Sequence, residues 1–144
     1  MCRVIGLEMK NLNWLLLVTV LFASGCAHLT TEKKLEKLQA TQKLYWKSLR
    51  WKSYESAASI VRFRNPARKL ADFANLSRIT VTNYEAGASL PTAEEDVYKT
   101  YVQFSYVQNA TGRLLQVRHE EIWWYDADTN AWYLDSDMPN FKMN

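Results

Sequence analysis

Cysteine, glycine and histidine are scarce in this 144-residue chain, and each shortage removes a class of chemistry. The only cysteines are Cys2 and Cys26, so everything after residue 26 has neither a disulfide nor a thiol nucleophile, and its stability must come from packing. Beyond that point the only glycines are Gly87 and Gly112, too few for a loop that cradles phosphate. His28 and His119 are far apart and form no ligand cluster, so no metal is expected. Glu94-Glu95-Asp96 and Asp126-x-Asp128 read as solvated turns, because a calcium loop needs a longer ladder of ligands and a glycine. There is no Gly-x-Ser-x-Gly elbow, no internal repeat and no low-complexity tract. No cofactor is implied, and no catalytic signature stands out.

A long hydrophobic run is also missing. Trp14 to Ala23 is apolar but covers about ten residues, where a spanning helix needs roughly 20. Arg3 and Lys10 precede this run, and Ala23-Ser24-Gly25 follows it, the layout of a cleaved export signal. Glu8 is unusual in such a leader, and a start at Met9 would give a tidier one.

The string Leu21-Phe22-Ala23-Ser24-Gly25-Cys26 resembles a bacterial lipobox, with Ala23 where leucine is commonest. The resemblance implies a diacylglyceryl group on Cys26, cleavage before it and acylation of the new amino group. Several buried acyl chains, at about 0.8 kcal/mol per methylene, make an anchor stable where one chain is marginal. Ala27 follows the cysteine in place of aspartate, which resembles sorting to the periplasmic face of the outer membrane. The expected organisation is therefore a signal peptide at 1–25, a lipidated tether at 26–31 and a single domain at 32–144. A five-residue linker reaches at most ~18 Å, so the domain should lie close to the bilayer.

Within the domain the hydrophobic period runs first helical, then alternating. Thr30 or Thr31 is a candidate N-cap with Glu32 in the first turn, and Leu35, Leu38, Tyr45 and Leu49 follow at helical spacing, interrupted by Gln42. Tyr54, Ala57, Ala58 and Val61 predict a second helix with Ser53 or Ser56 near its cap, and Pro66 to Leu76 a third. Strands are predicted over Arg78 to Tyr84, Val97 to Val107, Arg113 to Tyr125 and Ala131 to Asp135, separated by the turns Asn109–Gly112 and Asp126–Asn130. The expected class is α+β, with N-terminal helices packed on a four-stranded antiparallel meander.

Two stretches carry a further likeness. Tyr45-Trp46-Lys47-Ser48-Leu49-Arg50-Trp51-Lys52-Ser53-Tyr54-Glu55-Ser56-Ala57-Ala58 gives a helix, a short break and a Tyr-x-x-Ala-Ala helix; Glu121-Ile122-Trp123-Trp124-Tyr125 to Trp132-Tyr133-Leu134 gives a closing hairpin. In that order they resemble the nuclear-transport-factor-2-like (SnoaL-like) superfamily and its small lipoprotein members, over roughly residues 35–134. Asn130-Ala131 stands before Trp132 where that superfamily commonly has glycine. The resemblance implies a curved, cone-shaped sheet around an apolar cavity, and allows a homodimer through the exposed sheet face. The superfamily contains isomerases, dehydratases, carriers and scaffolds, so fold alone does not assign an activity.

Three residue groups are candidates for function. His119 and Glu121 share one strand face and would form an acid/base pair if that face lines a cavity; a cross-strand ion pair or a solvated face is the more ordinary account of them. Tyr45, Tyr98, Phe104, Trp123 and Trp132 would form either a ligand-binding wall or an aromatic core. The third group is electrostatic. From Glu32 to Arg78 there are 12 basic and four acidic residues, a net of +8; from Ile79 onward there are four basic and ten acidic, a net of −6. Lys33, Lys34 and Lys37, nearest Cys26, would meet anionic headgroups or an acidic partner; nucleic acid does not suit the expected compartment. The leading expectation is a membrane-anchored, non-catalytic interaction or ligand-binding module. The alternative is a cone-fold isomerase or dehydratase using His119 and Glu121.

Overall fold

A computed structural model describes residues 10–143. The leader residues Arg3 and Glu8 and the alternative start at Met9 lie outside them, and Cys26 is described in its backbone alone. The chain divides into one unit ending at Glu36 and a compact unit from Lys37 onward. Among the described residues no helix is long and apolar enough to cross a membrane.

The first helix, α1, runs Lys10–Arg50. It does not begin at Thr31, and the residues expected as a tether, 26–31, are helical. No proline falls between Lys10 and Arg50 to stop it, so the propensity of the Leu-, Lys- and Glu-rich segment carries the helix through. At its other end α1 stops in a Schellman arrangement: Ser53 N donates to Ser48 O (2.9 Å), Lys52 N to Leu49 O (3.4 Å), and Lys52 takes a left-handed φ of 59°. The second helix, α2, is Tyr54–Ile60. Ser53 stands at its N-cap without a side-chain capping bond, and the helix is held instead by Ala57 and Ile60, both buried.

The third helix expected at Pro66–Leu76 does not form. Asn65 turns the chain, its Oδ1 accepting from Ala67 N at 3.0 Å, and the one helical stretch there is a 3₁₀ helix at Phe73–Arg78. Phe73, Leu76 and Ile79 are all buried at a spacing of three, the period of a 3₁₀ helix, which the sequence pattern could not separate from an α-helical stripe.

Five antiparallel strands follow: β1 (Ile79–Ala86), β2 (Leu90–Pro91), β3 (Val97–Gln108), β4 (Leu114–Asp126) and β5 (Ala131–Leu134). The order is β1-β3-β4-β5, with the two-residue β2 also paired to β3; the sheet has this fifth strand beyond the four expected and is strongly curled. A bulge at Thr82, between the pairs Val81–Tyr106 and Asn83–Ser105, adds to the curl. Val61 bridges Leu134 in parallel, so the chain leaving α2 extends the sheet at β5.

The inner face of the curl carries the core. Leu38, Tyr45 and Leu49 from α1 lie with Val102, Phe104 and Tyr106 from β3, Trp123 from β4 and Leu134 from β5, all essentially without solvent contact. After β5 the chain crosses back without regular structure. Lys142 N donates to Tyr106 Oη (2.9 Å), and Phe141 sets its ring edge-on against Phe104 and Tyr106, centroids 5.9 and 4.9 Å apart. Phe141 thus behaves as a core side chain supplied by a loop. Phe141→Ala should lower unfolding stability by about 3 kcal/mol, read from the midpoint of a denaturant titration; a loss below ~1 kcal/mol would show that the segment is only resting on the sheet.

Candidate functional site: a carboxyl sealed between two indoles

On β4 the odd-numbered residues face inward, which settles the parity of the strand. Exposure falls along that row: Leu115, Val117 and His119 are half-buried, and Glu121 and Trp123 are completely buried. Glu121 is therefore a carboxyl in the core. An ionised carboxylate there costs far more than a bonded one in water, so the residue must be satisfied by donors, be neutral, or both.

Both conditions are met. Trp46 Nε1, from α1, donates to the two Glu121 oxygens at 3.0 and 3.1 Å, and Trp123 Nε1, two residues along β4, donates to Oε2 at 3.0 Å. Burial pushes the Glu121 pKa up to about 8, against the opposing pull of the two indole N–H groups. The Tyr45 ring meets Trp123 edge-on, centroids 6.0 Å apart, and burial together with the Glu121 charge drives the Tyr45 pKa upward. Tyr45 Oη has no hydrogen-bond partner among the described residues.

A second polar group lies one strand over. Thr100, the β3 partner of Glu121, is fully buried. Gln42 Nε2 donates to Thr100 Oγ1 at 2.8 Å, and Ser89 Oγ closes the triangle, 2.9 Å from Thr100 Oγ1 and donating to Gln42 Oε1 at 3.2 Å. Gln42, which looked like a flaw in an apolar stripe, is satisfied by residues 47 and 58 positions away. Together Gln42 and Trp46, one helical turn apart, fasten the buried face of α1 to the sheet by polar contacts.

His119 and Glu121 share the inward face as expected, but their hydrogen bonds lead to different groups. His119 has its pKa lowered, chiefly by burial, with a bond to the Asp137 backbone and the nearby Asp137 and Glu120 charges opposing; its Nε2 is buried with no partner among the described residues. Of the aromatic candidates, Tyr45, Phe104, Trp123 and Trp132 are core residues, and Tyr98 is half-buried with its ring edge-on to Trp132 at 5.6 Å. Depressions of about 300, 480 and 530 Å³ lie at the surface of the described residues, and neither His119, Glu121 nor any of these aromatics lines one of these. Among the described residues no group of His, Cys, Asp and Glu is placed to hold a metal.

The acidic and basic halves meet at one end of the sheet. Arg64 Nε binds Asp135 (2.8 Å) and its NH1 binds Glu94 (2.6 Å), Arg62 binds Asp126 (2.7 Å), and Arg68 binds Asp137 (3.1 Å). These pairs tie the segment after α2, which turns at Asn65, to the acidic end of the sheet. Lys37 is exposed and donates to Asn130 Oδ1 at 3.0 Å; Lys33 is exposed, and Lys34 is half-buried and engaged.

No known protein family, no curated protein and no solved structure matches this chain. The chemistry of Trp46, Gln42, Ser89 and Thr100 was not foreseen from the sequence. Its one visible signal was a glutamine at a position whose neighbours are all core residues.

The raised Glu121 pKa has a consequence with a definite sign. A carboxyl that is harder to ionise folded than unfolded makes the folded state bind more protons between pH 4.5 and about 8, so stability falls as pH rises through that window. His119, harder to protonate when folded, works the other way below pH 6.5. Between pH 6.5 and 8 thermal or chemical unfolding should therefore show stability declining with pH, the decline should flatten in Glu121→Gln, and it should survive His119→Gln. A wild-type profile flat over that interval would contradict a neutral Glu121.

Proposed function

We propose that this chain is a lipid-anchored envelope protein, cut before Cys26 and held at the periplasmic face of the outer membrane. Its compact unit serves there as a non-catalytic interaction module of the nuclear-transport-factor-2-like (SnoaL-like) type. The string from Leu21 to Cys26 supports the anchor. Helices first, then a strongly curled antiparallel sheet, support a cone-like domain.

One observation carries the non-catalytic reading: the interior that a cone-fold enzyme would keep open is occupied. Glu121, the best acid/base candidate, has no solvent contact and is held by two indole N–H groups, and Phe141 packs on Phe104 and Tyr106 in the same core. A general acid or base must come within hydrogen-bond reach of its substrate. The enzymatic alternative, with Glu121 and His119 as acid and base, draws support from the raised Glu121 pKa and from the unpartnered His119 Nε2, and it requires the core to open.

Expression in a bacterial host tests the anchor. Mass spectrometry should find the mature chain beginning at an acylated Cys26 and fractionating with outer membrane, and Cys26→Ser should lose both the lipid and the membrane association. An unmodified Cys26 in the wild-type protein would overturn the proposal.

A further inference from the structure

α1 has two faces in the compact unit, and the sheet uses one of them. Leu38, Gln42, Tyr45, Trp46 and Leu49 point inward and are buried. The opposite stripe, at the same helical period, carries Lys43, Leu44, Lys47, Arg50 and Trp51. Trp51 still follows the helical turn, its N–H donating to Lys47 O at 2.9 Å. Two of these residues are large, apolar and open to solvent: Leu44 is 54% exposed and Trp51 68%. The Arg50 guanidinium lies 5.9 Å from the centre of the Trp51 ring.

The charges of this stripe have one sign. From Lys37 through Tyr54 the sequence contains no carboxylate; the stretch is bounded by Glu36 on α1 and by Glu55 after the break into α2. Arg62, Arg64 and Arg68 spend their charge on Asp126, Asp135, Asp137 and Glu94, and Lys99 pairs with Glu120. Among the described residues Lys43, Lys47 and Lys52 have no such partner. The imbalance between the basic and acidic halves is thus cancelled at the sheet end and left standing on the outward face of α1.

The geometry points to this face as a docking surface for an anionic lipid bilayer, lying along the headgroups over roughly 16 Å of helix from Ala40 to Trp51. The occupant follows from the composition. Indole rings settle at the membrane–water boundary, lysine and arginine stems lie over apolar surface while their heads stay with phosphate, and a leucine beside them enters the acyl boundary. An acidic protein could also use the cations and the exposed tryptophan; the lipid tether, which would hold this face beside a leaflet, is what favours the bilayer. This inference rests on the anchored reading above, since a tether is what brings a helix face to a leaflet, but it assigns the contact to residues beyond Lys33, Lys34 and Lys37.

The test uses the lipid-bearing protein as isolated from membranes, reconstituted in phosphatidylglycerol–phosphatidylethanolamine vesicles or in phosphatidylcholine vesicles. Acrylamide quenching assigned to Trp51, by difference from Trp51→Phe, should drop at least severalfold in the anionic vesicles at low salt and recover at high salt. In phosphatidylcholine the chain should float with the vesicles while Trp51 stays open. The triple variant Lys43→Glu, Lys47→Glu, Arg50→Glu, or its glutamine counterpart if the reversals disturb folding, should restore full quenching in the anionic vesicles while the chain still floats with them on its acyl chains. Flotation of the wild-type chain with anionic vesicles while its Trp51 remains as open as in buffer would overturn the docking face and leave the anchor intact. A chain that floats with neither vesicle would overturn both. Shielding of Trp51 by soluble polyglutamate but by neither vesicle would give the face to an acidic protein and overturn the lipid assignment.

Discussion

The structure depends on how a carboxyl is accommodated in the core. Glu121 sits where β4 is most deeply buried, without solvent contact, and its oxygens take their hydrogen bonds from Trp46 and Trp123. Trp46 belongs to α1 and Trp123 to the sheet, so satisfying one acid fixes the helix to the strand in register as well as in contact. A purely apolar interface would tolerate sliding by part of a turn; this one would leave a buried acceptor unpaired, at a cost of about 1–3 kcal/mol or more. The Gln42–Ser89–Thr100 triangle applies the same restriction one helical turn away.

A fixed α1 gives the rest of the molecule its electrostatic layout. With the inward face committed to the core, Lys43 and Lys47 of α1 stand on the solvent side. The arginines that follow α2 are drawn instead to the acidic turns of the sheet, where Asp135 receives Arg64 and sits near Arg68. Individual exposed pairs of this kind contribute little, but here several converge on one segment and fasten it to the end of the sheet. Charge that looks in the sequence like a single basic half and a single acidic half is therefore resolved into a clamp and a free surface.

The β-sheet was largely legible because its signal is local: Thr100 to Tyr106 alternates in burial, and the turns at Asn109–Gly112 and Asp126–Asn130 lie at the ends of the strands. The α+β class and antiparallel pairing followed from that order. What was missed depends on distant residues. The segment around Pro66 carries apolar residues at a spacing that fits two helix types, and the arginines beside it bind acids some 30 to 70 positions away. The two-residue β2 is too short to have a period. Glu121 was visible as a candidate, yet nothing in its own neighbourhood said that Trp46, 75 positions earlier, would be its partner. A lone polar residue on an apolar stripe, Gln42, was the most informative clue, because such a residue must find a bond or cost the fold its stability.

The claim that ties fold to function is that the interior is closed, and indole hydrogen exchange measures this most directly. By NMR the Nε1–H protons of Trp46 and Trp123 should exchange only through large-scale opening, among the slowest in the protein, while that of Trp51 exchanges at once. Exchange of Trp46 and Trp123 as fast as Trp51 would mean that water reaches Glu121 in the native state. The core would then be a working pocket, and the non-catalytic reading would be wrong.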